Sequence, residues 1–226
     1  VVNVGIIPIG LKMITTVGVF KDKVIRAMYA ELTKKLGSVA FKTSLRRGAK
    51  QILEKALRAH PTYHAMVAQD GILRAELGVV DSASAMDSLV RAWVQSTHIT
   101  VSRPRIMGHR IVGTIVSIRA IQADYSDVLD KVYASYTTEK GDVIPWLDWL
   151  LTKGVDTLVA SHVAVTLPTA MSRTGTNTVM IKTRGAGWGV PTDYAGMPEN
   201  NYATQSVLAA VPEIEHMFMA EVKRRL

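Results

Sequence analysis

The longest uninterrupted amphipathic pattern in the chain runs from Val39 to His60, and it constrains the fold more than any other segment. Phe41, Leu45, Ala49, Ile52, Leu53, Ala56 and Leu57 recur at three- and four-residue spacing, which places them on one stripe of a helix. Pro61 ends the pattern, because the residue before a proline is pushed out of the helical region. The opposite face carries Lys42, Arg46, Arg47, Lys50, Lys55 and Arg58 against Glu54 alone. A helix of about 20 residues is roughly 30 Å long, so this charge forms a stripe. Such a helix must lay its apolar side on a core while its basic side meets water, phosphate or an acidic partner.

The rest of the chain can supply that core. Its 226 residues and 48% hydrophobic content are those of one globular domain, residues 1–226. A second helical pattern precedes the first, from Lys21 to Leu36, and Gly37 stops it. Residues 1–20 are apolar apart from Lys12, but Gly5, Pro8, Gly10 and Gly18 interrupt them. Val, Ile and Thr favour extended structure there, so this stretch is expected to be a strand or arm preceding a 21–226 body. It is not a membrane span, and no later apolar run approaches the length needed to cross a bilayer.

Strand signals dominate the middle. Gly71–Val80, His98–Arg103 and Arg110–Ile121 read as strands, the last two joined by a turn containing Pro104 and Gly108. Asp81 is placed to cap a helix running to Gln95. Short helices are expected over Asp124–Ala134 and Asp142–Lys153, with Pro145 in the first turn of the latter and Gly154 closing it. Strands Thr157–Leu167 and Thr178–Lys182 follow, separated by a turn-rich Pro168–Asn177. Gly185, Gly187 and Gly189 around Trp188 suggest an exposed loop, with Arg173, Lys182 and Arg184 nearby, that orders only on assembly. A helix from Asn200 to Leu226, kinked at Pro212, ends in Lys223, Arg224 and Arg225. The expectation is an α+β fold: a central antiparallel sheet, a basic amphipathic N-terminal helix and a long C-terminal helix.

Chemistry is harder to find. The chain has no cysteine, which excludes disulfides, Cys-ligated zinc and a thiol nucleophile. His60 and His64 are four apart, but Pro61 breaks the helix that would align them on a metal. Asp124, Asp127 and Asp130 stand at three-residue spacing and form an acidic edge, able to hold magnesium, to face solvent, or to receive a basic stripe. The stretch Arg184–Val190 lacks the third glycine and following helix of a dinucleotide fingerprint. No phosphate-binding loop or nucleophile elbow occurs. The chain is therefore expected to be no enzyme and to hold no cofactor or metal. A net charge of +8 attracts nucleic acid or an acidic partner, although the basic helix lacks the interleaved aromatics of a single-strand binder.

The most distinctive text lies toward the C-terminus: Ile144-Pro145-Trp146-Leu147-Asp148-Trp149-Leu150-Leu151, then Ser172-Arg173-Thr174-Gly175 and Val179-Met180-Ile181-Lys182. Gly187-Trp188-Gly189-Val190-Pro191 and Asn200-Asn201-Tyr202-Ala203-Thr204 follow. This order resembles the neck and tail-completion proteins of tailed bacteriophages, small subunits that form a ring between portal and tail. The resemblance implies a structural virion protein, assembled in the host cytoplasm as a homo-oligomeric ring. Its implied partners are portal, adaptor, tail terminator or tail tube proteins, with non-specific contact to packaged DNA. Collar, head-completion and tail-terminator positions all remain open. Candidate interface residues on this reading are Arg46, Arg47 and Lys50 facing Asp124, Asp127 and Asp130, an aromatic pair Trp146 and Trp149, and Arg173, Arg184 and Trp188 around the glycines. Core packing is the competing reading for the two tryptophans. The alternative function is a basic nucleic-acid-binding protein. A magnesium-dependent hydrolase or nuclease at the Asp124–Asp130 edge is a third.

Overall fold

The computed structural model describes residues 18–101, 105–107, 110–112, 116–119 and 125–225. Five helices come first: α1 (Gly18–Gly37), α2 (Val39–Ala59), α3 (Pro61–Val67), α4 (Ile72–Leu77) and α5 (Ser82–Ser96). Strands β1 (His98–Val101), β2 (Arg105–Met107), β3 (Arg110–Val112) and β4 (Val116–Arg119) follow, then α6 (Ser126–Leu129) and a 3-10 turn, Val132–Ala134. The remainder is β5 (Tyr136–Thr137), β6 (Val143–Ile144), α7 (Trp146–Thr152), β7 (Val159–Thr166), β8 (Thr178–Trp188) and α8 (Tyr202–Arg225). The fold is α+β with a long C-terminal helix. Among the described residues its strands pair as four two-stranded antiparallel ladders, β1–β4, β2–β3, β5–β6 and β7–β8. The first two ladders keep one register. The N-terminal arm expected over residues 1–20 lies outside the described residues up to position 17, and Gly18 already belongs to α1.

Local chemistry explains where elements begin and where expectation fails. Ser38 alone separates α1 from α2: its hydroxyl donates to the Lys35 carbonyl (2.9 Å) and accepts from the Phe41 amide (3.2 Å). His60 caps α3, its Nδ1 accepting from the Thr62 amide, which leaves Nε2 to donate to Gln205 Oε1 at 2.9 Å. Gly71–Val80, expected as a strand, contains helix α4. Leu73, Ala75 and Leu77 are buried, and Gly78 supplies a left-handed cap (φ 71°), with the Val79 amide reaching back to the Arg74 carbonyl. Asp81 caps α5 as expected, Oδ1 accepting from the Ser84 amide. The expected helix over Asp142–Lys153 starts later, at Trp146, because Val143 and Ile144 pair with Tyr136 and Thr137. Helix α8 runs through Pro212, whose exposed ring puts the missing amide on the solvent side.

The chain packs as two compact units. The first comprises Val1–Ile52, Thr97–Ala120 and Ala210–Leu226, and the second Leu53–Ser96 and Ile121–Ala209. In the first unit Leu32, Leu36, Phe41, Leu45 and Ala49 are buried with Ile99, Phe218 and Val222. The Phe41 and Phe218 rings stand 6.3 Å apart, and the Arg225 guanidinium covers Phe41 at 5.4 Å. Arg46 donates from Nε to the Ile99 carbonyl at 3.2 Å, tying α2 to β1. Near the end of α8, hydrogen bonds from Arg224 and then Arg225 hold Glu221 at about 2, down from an ordinary 4.5.

The second unit is organised by Asn201. Its side-chain oxygen accepts from the Ala203 and Thr204 amides, capping α8. Its amide nitrogen lies within hydrogen-bond distance of the Tyr125 hydroxyl (2.6 Å) and the Leu151 (3.0 Å) and Met197 (2.9 Å) carbonyls. Tyr125, held at φ 56°, donates its own hydroxyl hydrogen bond to the Pro198 carbonyl at 2.7 Å. Elsewhere in this unit Arg58, Tyr63 and Asp87 form a closed triangle of hydrogen bonds, 2.6, 2.6 and 2.9 Å. The Arg58 bond, followed by that from Tyr63, holds the Asp87 carboxyl below its usual range.

Asn201→Asp keeps the cap oxygens but turns a carboxylate oxygen on two carbonyls, and should cost about 2–4 kcal/mol at neutral pH. The loss should shrink below about pH 4, where a protonated carboxyl can donate again. Urea denaturation at both pH values checks this. For Glu221 the folded-state value lies below the unfolded one, so its stabilisation is complete above 4.5 and is lost as pH falls toward 2. The Tm difference between the native chain and Glu221→Gln should therefore close over that window.

Candidate assembly surface

Strands β7 and β8 form the longest ladder, and their sequence explains its exposed character. Val163 pairs with Ile181 and Val165 with Val179, which places these four β-branched residues on one face. Ala164 and Met180 pair on the other. None of the six is buried, with Met180 and Ile181 each 38% exposed; the first face is apolar over these pairs, whereas Ala164 and Met180 share theirs with His162–Lys182 and Thr166–Thr178. An isolated two-stranded ribbon is marginal in water, so this one is held by what its ends touch.

At the base, the register jumps between Ala160 and His162, so that Thr183–Ala186 bulge opposite Ser161. Ser161 and Gly185 both take positive φ, 57° and 75°. Pairing then resumes, with Ala160 opposite Gly187 and Val159 opposite Trp188. The open loop expected over 184–190 is corrected here: β8 extends to Trp188 because that side chain is buried. Its ring packs 6.0 Å from Trp149 and its indole N–H donates to Glu76 Oε2 at 3.1 Å. A Cβ at Gly189 would overlap the Asp156 carbonyl oxygen, and one at Gly187 would overlap the Thr157 methyl. These two glycines serve close approach of backbone.

The tip is latched by two arginines acting in opposite directions. Arg74 on α4 donates to the Thr174 carbonyl of the tip (2.9 Å), while Arg173 of the tip donates to the Gly78 carbonyl at the end of α4 (3.0 Å). The Arg173 guanidinium also stacks on Tyr136, 4.4 Å from the ring centre. Ser172, Thr174 and Thr176 bond to one another within the tip, and Met171 beside them is 98% exposed. Between hairpin and α4 lies a shallow depression of about 550 Å³, walled by Glu76, Tyr136, Trp149, Met171, Arg173 and Trp188.

Three residues singled out from sequence, Trp149, Arg173 and Trp188, therefore line one depression; Arg184 is exposed on the bulge and is not among the lining residues. Trp146 does not join them. It is buried, with its indole N–H on the Tyr133 carbonyl at 2.9 Å, and belongs to the core. On α2, Arg46 and Arg47 are exposed and Lys50 is half-buried. Of the expected acidic edge, Asp127 lies in α6, Asp130 follows as its C-terminal cap, and Asp124 lies outside the described residues. Asp130 is exposed, whereas both Asp127 carboxylate oxygens are buried, and burial first and Asp127 second push the Tyr133 phenol up. Among the described residues, no group of three or more His, Asp or Glu side chains could hold a metal. No described helix is long and apolar enough to cross a membrane. Comparison with protein-family models, curated proteins and solved structures yields no match.

Sequence reading missed Arg74, Glu76 and Tyr136. Glu76 meets Trp188 across 112 positions and Arg74 meets Thr174 across 100, separations at which periodicity carries no signal. The Gly-Val pair after Leu77 was the available sign that Ile72–Leu77 is a capped helix.

Gly189→Ala, which forces a methyl onto a backbone oxygen, should destabilise the chain by about 2–3 kcal/mol. Gly185→Ala, strained only by its φ, should cost about 1 kcal/mol. Chemical denaturation of both variants tests the order.

Proposed function

We propose that the chain is a non-enzymatic structural subunit, working by binding to copies of itself and to other proteins, as ring subunits do between the head and tail of tailed bacteriophages. One observation carries the reading: a β-ribbon, β7–β8, anchored at base and tip, whose apolar face of Val163, Val165, Val179 and Ile181 is left partly exposed. Burying Val163, Val165, Val179 and Ile181 against a next copy would contribute the largest stabilisation this ribbon lacks, at about 25 cal/mol per Å² of apolar surface. In a ring, each copy presents two different surfaces, and the ribbon of one meets another part of the next. The order of motifs from Ile144 to Thr204 supports the virion setting, with portal, adaptor, tail terminator or tail tube proteins as the further partners.

Native mass measurement of the purified chain, alone and with portal and tail components, tests the reading. The expected result is a closed homo-oligomer or a stoichiometric complex. A strict monomer that ignores both would sink it. Val163→Lys/Ile181→Lys should convert oligomer to monomer while shifting Tm by only a few degrees, since neither residue is in the core.

A further inference from the structure

The two units divide the charge of the chain unequally. The first unit carries 17 Lys and Arg against 5 Asp and Glu, a net +12; the second carries 10 against 14, a net −4. The imbalance is sharper in the segments that build the first unit. No carboxylate occurs between Glu31 and Glu54, nor between Asp87 and Asp124, stretches that include most of α2 and all of β1–β4. On α2, Arg46 and Arg47 stand exposed with no carboxylate before Glu54, whereas on α1 the exposed Glu31 pairs with Lys35, so the carboxylate-free face is that of α2. Arg46 reaches to the Ile99 carbonyl, so the basic side of α2 abuts β1.

We infer that the first unit carries a face for the sugar–phosphate backbone of duplex nucleic acid, bound without regard to base sequence. A protein interface mixes signs, because facing carboxylates and amines give specificity. A surface that meets only phosphates excludes carboxylates, since each would repel the ligand. The second unit of another copy, at −4, would offset only a third of the +12, whereas a duplex offers a negative charge about every 1.7 Å of axis. Nothing in the segment reads bases: no aromatic side chain interleaves the exposed charges of α2, whose single aromatic, Phe41, is buried. The inference stands apart from the assembly reading, which concerns the ribbon of the second unit.

The probe is a labelled duplex of about 30 base pairs, titrated with the full chain by fluorescence anisotropy at several salt concentrations. Affinity should fall about 100-fold between 50 and 200 mM salt if four phosphates are neutralised, and should be the same for unrelated sequences. Arg46→Glu/Arg47→Glu should weaken binding at least tenfold. Arg47→Glu alone, which leaves the Arg46–Ile99 bond in place, should flatten the salt slope by about one. The charge-matched Lys131→Glu/Lys140→Glu, two exposed positions of the second unit outside the ribbon, should leave duplex binding within about twofold. Equal loss in that control would mean that net charge, not a face, does the binding, and the inference falls. It falls also if polyglutamate binds as tightly as the duplex, which would point to an acidic protein, or if Arg47→Glu changes nothing.

Discussion

One buried amide ties together four segments of the second unit. Asn201 starts α8 with its oxygen, and with its nitrogen holds the end of α7 at Leu151, the turn at Met197 and the hydroxyl of Tyr125. The cost of burying a polar side chain is offset only when every polar group finds a partner. Here they do, and the closing bond runs on from Tyr125 to Pro198. The position of α7 follows from this, and with it that of Trp149, the ring against which Trp188 packs. A hydrophobic contact alone would tolerate sliding of these segments. The directional bonds of one amide do not.

That fixed platform makes the hairpin intelligible. Its base is anchored through Trp188, Glu76 and two glycines that admit the Asp156 carbonyl and the Thr157 methyl, and its tip through reciprocal arginine bonds with α4. The length between is left with apolar side chains and little to cover them. An element rigid at both ends and unsatisfied in the middle loses little conformational entropy when a partner arrives, so more of the contact energy appears as affinity. The same residues in a free loop would have to be ordered first.

Charge is arranged by a different logic. Individual ion pairs such as Arg58 with Asp87, or Glu221 with its two arginines, are local and partly solvated, and secure particular turns. The excess of the first unit is collective: it sets a field whose reach depends on salt. The two units thus present different surface chemistry, apolar ribbon on one and positive field on the other.

Much of the secondary structure was legible because its causes are local. The period of Phe41, Leu45, Ala49 and Leu53, the stop at Pro61, the Asp81 cap and the basic end of α8 need only neighbours within a turn. Of the acidic edge, the structure places Asp127 in α6 and Asp130 at its C-terminal cap. The glycine-rich stretch failed for a non-local reason. Whether Gly187 and Trp188 continue a strand depends on Glu76 and Trp149 being there to receive the indole, and no pattern within β8 says so. The sequence by itself determined the α+β class, the amphipathic helices and the concentration of positive charge, because propensity, periodicity and charge are properties of short windows. Only the tertiary structure decided that Trp146 is core while Trp149 and Trp188 line a depression, because burial is settled by residues beyond any local window, from Tyr133 beside Trp146 to Glu76, 112 positions from Trp188.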